Sequence, residues 1–164
     1  QRAQELSPKR AEVYQKGAHT ANLQDEYEQA VELAGQCLKL NNELTDCIWE
    51  KILANIYLGN IEEADADFAK LDKKGRAISV PYLTQLALAY QKSGNRKGMV
   101  RAYEHLISES RNPQYAAELA LLYKEFANWD KAHKTTLLML HWQPDLQKQV
   151  EEFLLTIRAA LQQE

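Results

Sequence analysis

A short turn-like segment recurs four times in this chain at nearly constant spacing. Each copy has a small or polar residue at the turn, then a short polar stretch, then a small or flexible residue five positions on. The turn residues are Asp25, Gly59, Gly94 and Ala127, so the spacings are 34, 35 and 33 residues. Apolar residues between the turns follow helical spacing, as at Leu83, Leu86 and Tyr90. A period of this length predicts helix, turn and helix, repeated.

The prolines agree with this division, because proline fits the first turn of a helix, where its missing N–H would have no partner. Pro8, Pro81, Pro113 and Pro144 all stand at predicted helix starts, and Ser7 and Asn112 are predicted N-caps. We predict one domain over 1–164 with nine helices. Its repeats cover about 8–42, 43–76, 80–111 and 112–143, followed by a terminal helix over 145–162.

The fourth unit resembles the tetratricopeptide repeat, a 34-residue helical hairpin. Its matching positions are Leu119, Ala120, Tyr123, Trp129, Ala132 and the closing Pro144. Ala127 stands where that family has Gly, and Met99 replaces the small residue of the third unit. The resemblance implies an all-α, right-handed superhelix of about four hairpins with a C-terminal capping helix. It also implies a non-enzymatic scaffold that binds a protein or peptide in its concave groove.

A second resemblance concerns the opening run from Leu6 to Tyr14. It is similar to the junction before the repeat array at the C-terminus of bacterial O-antigen ligase or polymerase-like membrane proteins. The alternative function is therefore a soluble regulatory or assembly domain of such a membrane protein. The chain begins at Gln1 without an initiator Met, which fits a fragment of a longer protein.

Composition excludes several other classes. The chain has 20 basic and 23 acidic residues, a net charge of -3, and no concentrated basic segment, so we do not expect nucleic acid as a partner. The longest apolar run, Leu137 to Leu140, is far shorter than the ~20 residues that span a bilayer, so we expect no membrane insertion by this segment. The compartment stays open, with the cytoplasm slightly favoured.

The first helix of each hairpin is expected to line the concave side, and its solvent-facing positions are the candidate ligand contacts. The hypothesised groove residues are His19, Trp49, Leu53, Tyr57, Leu88, Lys92, Leu121 and Lys124. The wider set of such positions also includes Glu12, Gln15, Asn22, Ile56, Thr84 and Ala117. Such a surface suits a peptide with apolar anchors and an acidic residue near the lysines. Two alternatives stay open: Trp49 and Tyr57 pack within the second hairpin, and the two lysines are merely solvated.

Neither catalysis nor metal binding is expected. The four histidines, His19, His105, His133 and His141, lie on different hairpins or lack a third ligand, so no catalytic residue, metal or cofactor is assigned. Cys37 is predicted to be a buried packing residue and Cys47 to be partly exposed near a helix start. Two cysteines ten residues apart are interpreted as neither a disulfide framework nor a zinc site.

Overall fold

The computed structural model describes the backbone of residues 2–73 and 78–162, and the side chains of residues 10–71 and 78–162. Within these ranges the chain forms nine α-helices and one short 3-10 helix, Pro144–Leu146. The α-helices are α1 (Arg2–Leu23), α2 (Tyr27–Leu40), α3 (Thr45–Leu58), α4 (Ile61–Lys73), α5 (Val80–Lys92), α6 (Arg96–Glu109), α7 (Pro113–Glu125), α8 (Trp129–Trp142) and α9 (Gln147–Leu161). The predicted all-α repeat fold is confirmed. None of the helices in the described part is both long and apolar enough to span a bilayer.

The chain divides into two compact units. Unit 1 comprises Gln1–Ile78 and Leu88–Gly94, and unit 2 comprises Ser79–Ala87 and Asn95–Glu164. The C-terminal part of α5 therefore belongs to unit 1, and its N-terminal part belongs to unit 2. Each unit has its own core and its own candidate contacts.

All four recurring turn residues adopt the left-handed backbone conformation. The φ angles are 59° at Asp25, 80° at Gly59, 72° at Gly94 and 54° at Ala127. At three of these turns the following N–H donates to a carbonyl five residues back, as from Asn60 to Asn55 at 2.8 Å and from Asn128 to Tyr123 at 2.8 Å. This bond closes the end of the first helix and reverses the chain into the second. The 34-residue period is thus a period of left-handed turn residues.

Three helices, α6, α7 and α8, have an asparagine cap at their start. Asn95, Asn112 and Asn128 each accept a backbone N–H of the first helical turn through the side-chain oxygen, so the predicted cap at Asn112 is confirmed. The predicted start of α1 is wrong, because the helix already begins at Arg2 and Pro8 lies inside it. The side chain of Ser7, the other predicted cap, lies outside the described residues.

Unit 1 is held together by small residues where three helices meet. Ala21 of α1, Ala30 of α2 and Ala54 of α3 form one fully packed cluster, flanked by Tyr27 and Val31. Alanine at these positions lets the helix backbones approach closely.

Unit 2 has an apolar core formed by three helices. Leu119 and Tyr123 of α7 pack with Ala132 of α8 and Ile157 of α9. The terminal helix therefore covers the last hairpin by contributing Ile157 to its core, as a capping helix does.

The two cysteines form a disulfide, which corrects the sequence interpretation. Cys37 at the end of α2 and Cys47 at the start of α3 are bonded, with Cα atoms 6.3 Å apart. Both are fully buried, against Ala11, so Cys47 is not partly exposed as predicted. Because disulfides persist in oxidising environments, the bond favours an oxidising compartment over the cytoplasm.

The turn geometry predicts opposite effects of exchanging alanine and glycine. Ala127→Gly should raise the free energy of unfolding by about 1 kcal/mol, because alanine is strained at positive φ and glycine is not. Gly59→Ala should lower it by a similar amount, since no atom lies within 4 Å of the added Cβ and only the backbone is strained. Urea denaturation followed by circular dichroism measures both changes. Equal signs for the two variants would contradict the account.

The disulfide predicts a redox-dependent stability. Replacing both Cys37 and Cys47 by Ala should lower the free energy of unfolding by about 2–3 kcal/mol, because the bond restricts a loop of about ten residues in the unfolded chain. Reductant should lower the stability of the wild-type protein and leave the variant unchanged. Two free thiols in the denatured, unreduced wild-type protein would contradict this prediction.

Candidate functional site

One face of α3 carries a polar, an apolar and an aromatic side chain in register. Glu50, Leu53 and Tyr57 are spaced three and four residues apart, so they lie along one side of the helix. His19 of α1 contacts Glu50 of this row, and Lys92 of α5 contacts Tyr57. Leu88 precedes Lys92 by one helical turn on α5, and all of these residues belong to unit 1. We call this set of six residues the α3 face.

A buried carboxylate fixes α1 against α3. Glu50 is only 7% exposed, and His19 Nδ1 lies 2.8 Å from its Oε1. Asn22 Nδ2 donates to Glu50 Oε2 at 2.7 Å and to the Glu50 backbone carbonyl at 2.9 Å. A carboxylate this buried is tolerated because both of its oxygens have hydrogen-bonding partners. The His19 side chain remains 51% exposed, so a ligand can reach it at the edge of the face.

Two contacts hold Tyr57 in place. Its ring stacks on Tyr27, with ring centroids 4.5 Å apart and planes at 18°, and Lys92 Nζ lies 5.8 Å from its centroid. The Tyr27 hydroxyl donates to Asp25 Oδ1 in the preceding turn. Burial, and then this hydrogen bond, raise the pKa of Tyr27 to about 12, so the phenol stays protonated at neutral pH. Tyr57 is therefore a rigid, half-exposed aromatic surface.

Two leucines lie one turn before the Tyr57–Lys92 pair. Leu53 precedes Tyr57 by four residues, and Leu88 precedes Lys92 by four. Leu53 is half-buried and Leu88 is 49% exposed. The centre of the α3 face is therefore apolar, with an imidazole at one edge and an ammonium at the other.

Trp49 does not belong to this surface. It is 1% exposed, and its ring packs on Phe68 of α4 with centroids 6.4 Å apart. Ile56, from the wider candidate set, is likewise fully buried. Of the two alternatives left open for Trp49, packing within the second hairpin is the one observed.

The remaining candidates lie in unit 2 and are described there by themselves. Leu121 of α7 is 48% exposed, and Lys124 lies one turn further along the same helix. Lys124 Nζ is 5.4 Å from the ring centroid of Phe153 on α9. Both side chains are accessible to a ligand.

Sequence reasoning missed one residue of the α3 face, Glu50, and the residue on which Tyr57 stacks, Tyr27. Glu50 was not a candidate, although it follows the same spacing as Leu53 and Tyr57. Trp49 was chosen instead because the buried stripe of α3, formed by Trp49, Ile52 and Ile56, is offset by a single residue from the row formed by Glu50, Leu53 and Tyr57. The stacking of Tyr27 on Tyr57 has no sequence signal, since it joins residues of different helices across a turn.

Comparison with known proteins gives a fold but no family. No family model matches the chain, and no curated protein matches it. Among solved structures, a crystal structure of MamA protein matches with a TM-score of 0.59 and 13% identity, covering 94% of this chain and 90% of that chain.

Two further structures agree with this match. MamA AMB-1 gives a TM-score of 0.58 at 16% identity, covering 94% of this chain and 91% of the other. MamA MSR-1 gives a TM-score of 0.57 at 13% identity, covering 94% of this chain and 95% of the other. At these identities the likeness establishes the helical-repeat fold alone. None of these findings supports the resemblance to O-antigen ligase or polymerase-like proteins.

Proposed function

We propose that this chain is a non-enzymatic module that binds an extended segment of a partner protein across the α3 face. The observation that carries the proposal is the Tyr57 ring, which is held by Tyr27 and Lys92, together with the exposed Leu88 one helical turn before Lys92. Exposed apolar side chains and rigid aromatic groups are typical anchors for partner segments.

The dimensions suit a short extended peptide. Helices that pack side by side lie about 8–10 Å apart. A segment that runs from His19 on α1, over α3, to Lys92 on α5 therefore spans about 16–20 Å, which about six extended residues cover. The buried Glu50 supports this geometry, because its bonds to His19 and Asn22 hold α1 and α3 at a fixed separation.

The charges suit an acidic residue at one end of that segment. Lys92 is exposed, and within the described part of the chain its recorded contact is the Tyr57 ring rather than a carboxylate. A carboxylate of the partner would pair with its ammonium group while an apolar side chain covers Leu53 and Leu88. Leu121 and Lys124 repeat this combination of leucine and lysine in unit 2, and we propose that they contact a partner as well.

Site-specific photocrosslinking tests the proposal. p-Benzoylphenylalanine in place of Leu88 should form a covalent adduct with a partner in native cells, because this side chain lies at the centre of the α3 face. Lys92→Glu in the same protein should lower the adduct yield several-fold, since the ammonium would be replaced by a like charge. Mass spectrometry of the crosslinked peptide identifies the bound segment.

The matched control places the same crosslinker at Leu155, a leucine on α9 that is 59% exposed. The proposal expects adducts at position 88 and none of the same species at position 155. No adduct at position 88, or the same adducts at both positions, would overturn it. Circular dichroism of each variant verifies that it is folded.

A further inference from the structure

A second groove runs along unit 2, between α6 and α8. Lys97, Val100, Glu104 and Ile107 repeat every three or four residues and form one wall. Asn128, Lys131, Thr135 and Leu138 form the other in the same way. Leu119 and Tyr123 of α7 form its floor. None of these residues belongs to the α3 face.

A bridge of three side chains crosses the middle of the groove. The Tyr123 hydroxyl donates to Glu104 Oε1, and Lys131 Nζ donates to the same oxygen at 3.2 Å. Lys131 also lies over the Tyr123 ring, 5.1 Å from its centroid. Burial, and then the neighbouring carboxylate, raise the pKa of Tyr123, so the phenol remains a donor.

The bridge separates two clefts that share Tyr123 and Lys131. The larger has a volume of about 510 Å³ and extends past Ile107 and Leu138. The smaller, of about 260 Å³, extends past Val100 to Phe126, whose ring is exposed. Each cleft therefore combines an apolar wall with lysine.

The charge of the groove is opposite to that of the whole chain. The groove is lined by three lysines, Lys97, Lys131 and Lys134. Its lining also contains one carboxylate, Glu104, which is already hydrogen-bonded to Tyr123 and Lys131. Lys134 pairs with Asp130, but both side chains are largely exposed, and such a pair contributes little. Among the described residues no ion pair is recorded for Lys97. The groove is thus basic in a protein whose net charge is -3.

We infer that this groove binds an acidic, extended segment of a partner protein, with carboxylates against Lys97 and Lys134 and apolar side chains in the two clefts. The segment has about five residues, because the α6 wall from Lys97 to Ser108 is about 16 Å long at 1.5 Å per residue.

Nuclear magnetic resonance titration of the full chain tests the inference. The probe is an acetylated, amidated hexapeptide in which aspartate and leucine alternate, and its counterpart carries asparagine for aspartate. The acidic peptide should shift the backbone amides of residues 97–108 and 128–138, and its apparent affinity should exceed that of the asparagine peptide at least tenfold. Added salt should weaken the binding, because the pairing charges lie near the surface.

A pair of variants isolates the contribution of the groove. Lys97→Glu with Lys134→Glu should weaken binding of the acidic peptide at least tenfold. The control, Lys39→Glu with Lys148→Glu, changes the net charge equally at exposed positions on α2 and α9, and should leave the affinity within twofold of wild type.

Four outcomes would overturn the inference: no shifts at millimolar peptide, equal binding of both peptides, equal loss in both variants, or shifts confined to the α3 face. The last of these would support the proposed function while removing the groove from it. Light scattering adds a further test, since it measures whether the wild-type protein forms a dimer. If it does, and if Lys97→Glu with Lys134→Glu abolishes the dimer, then a second copy of the chain occupies the groove and an acidic segment does not.

Discussion

The structure depends on the close approach of neighbouring helices at alanine. A single helical hairpin exposes an apolar face that it cannot bury alone, so its neighbour must cover that face. Ala21, Ala30 and Ala54 meet where α1, α2 and α3 pack, and each is almost fully buried. A larger side chain there would separate the backbones and shift every contact that spans α1 and α3. The hydrogen bonds from His19 and Asn22 to Glu50 are such contacts.

This packing brings residues from successive repeats together on one surface. Because equivalent helices recur at nearly equal spacing, residues from α1, α3 and the end of α5 lie side by side although they are about 30 positions apart in sequence. The α3 face is therefore assembled from three helices, and no single helix carries its chemistry. The groove of unit 2 arises in the same way, from α6 and α8 over α7.

The fold was largely predictable from the sequence, because the repeat is determined by interactions between residues that are close in sequence. The turn residues, the cap at Asn112 and the helical spacing all act within a few positions. The predicted number of α-helices, nine, is the number observed in the described part of the chain, although the start of α1 is wrong. Contacts between residues of different helices were harder to predict from the sequence. The core stripe of α3 and the row that carries Glu50 and Tyr57 differ by one residue, so Trp49 was placed on the surface and Glu50 was missed. The Cys37–Cys47 bond depends on how α2 meets α3, which spacing alone does not determine.

The most direct measurement compares one substitution at a buried and an exposed alanine. Ala30→Leu places a bulky side chain where helices approach, whereas Ala66→Leu makes the same change on the exposed side of α4. The account predicts that urea denaturation gives a loss of about 1–3 kcal/mol in the free energy of unfolding for Ala30→Leu, and a change of less than ~0.5 kcal/mol for Ala66→Leu. Equal stability of the two variants would contradict the claim that alanine contacts between neighbouring helices hold the fold together.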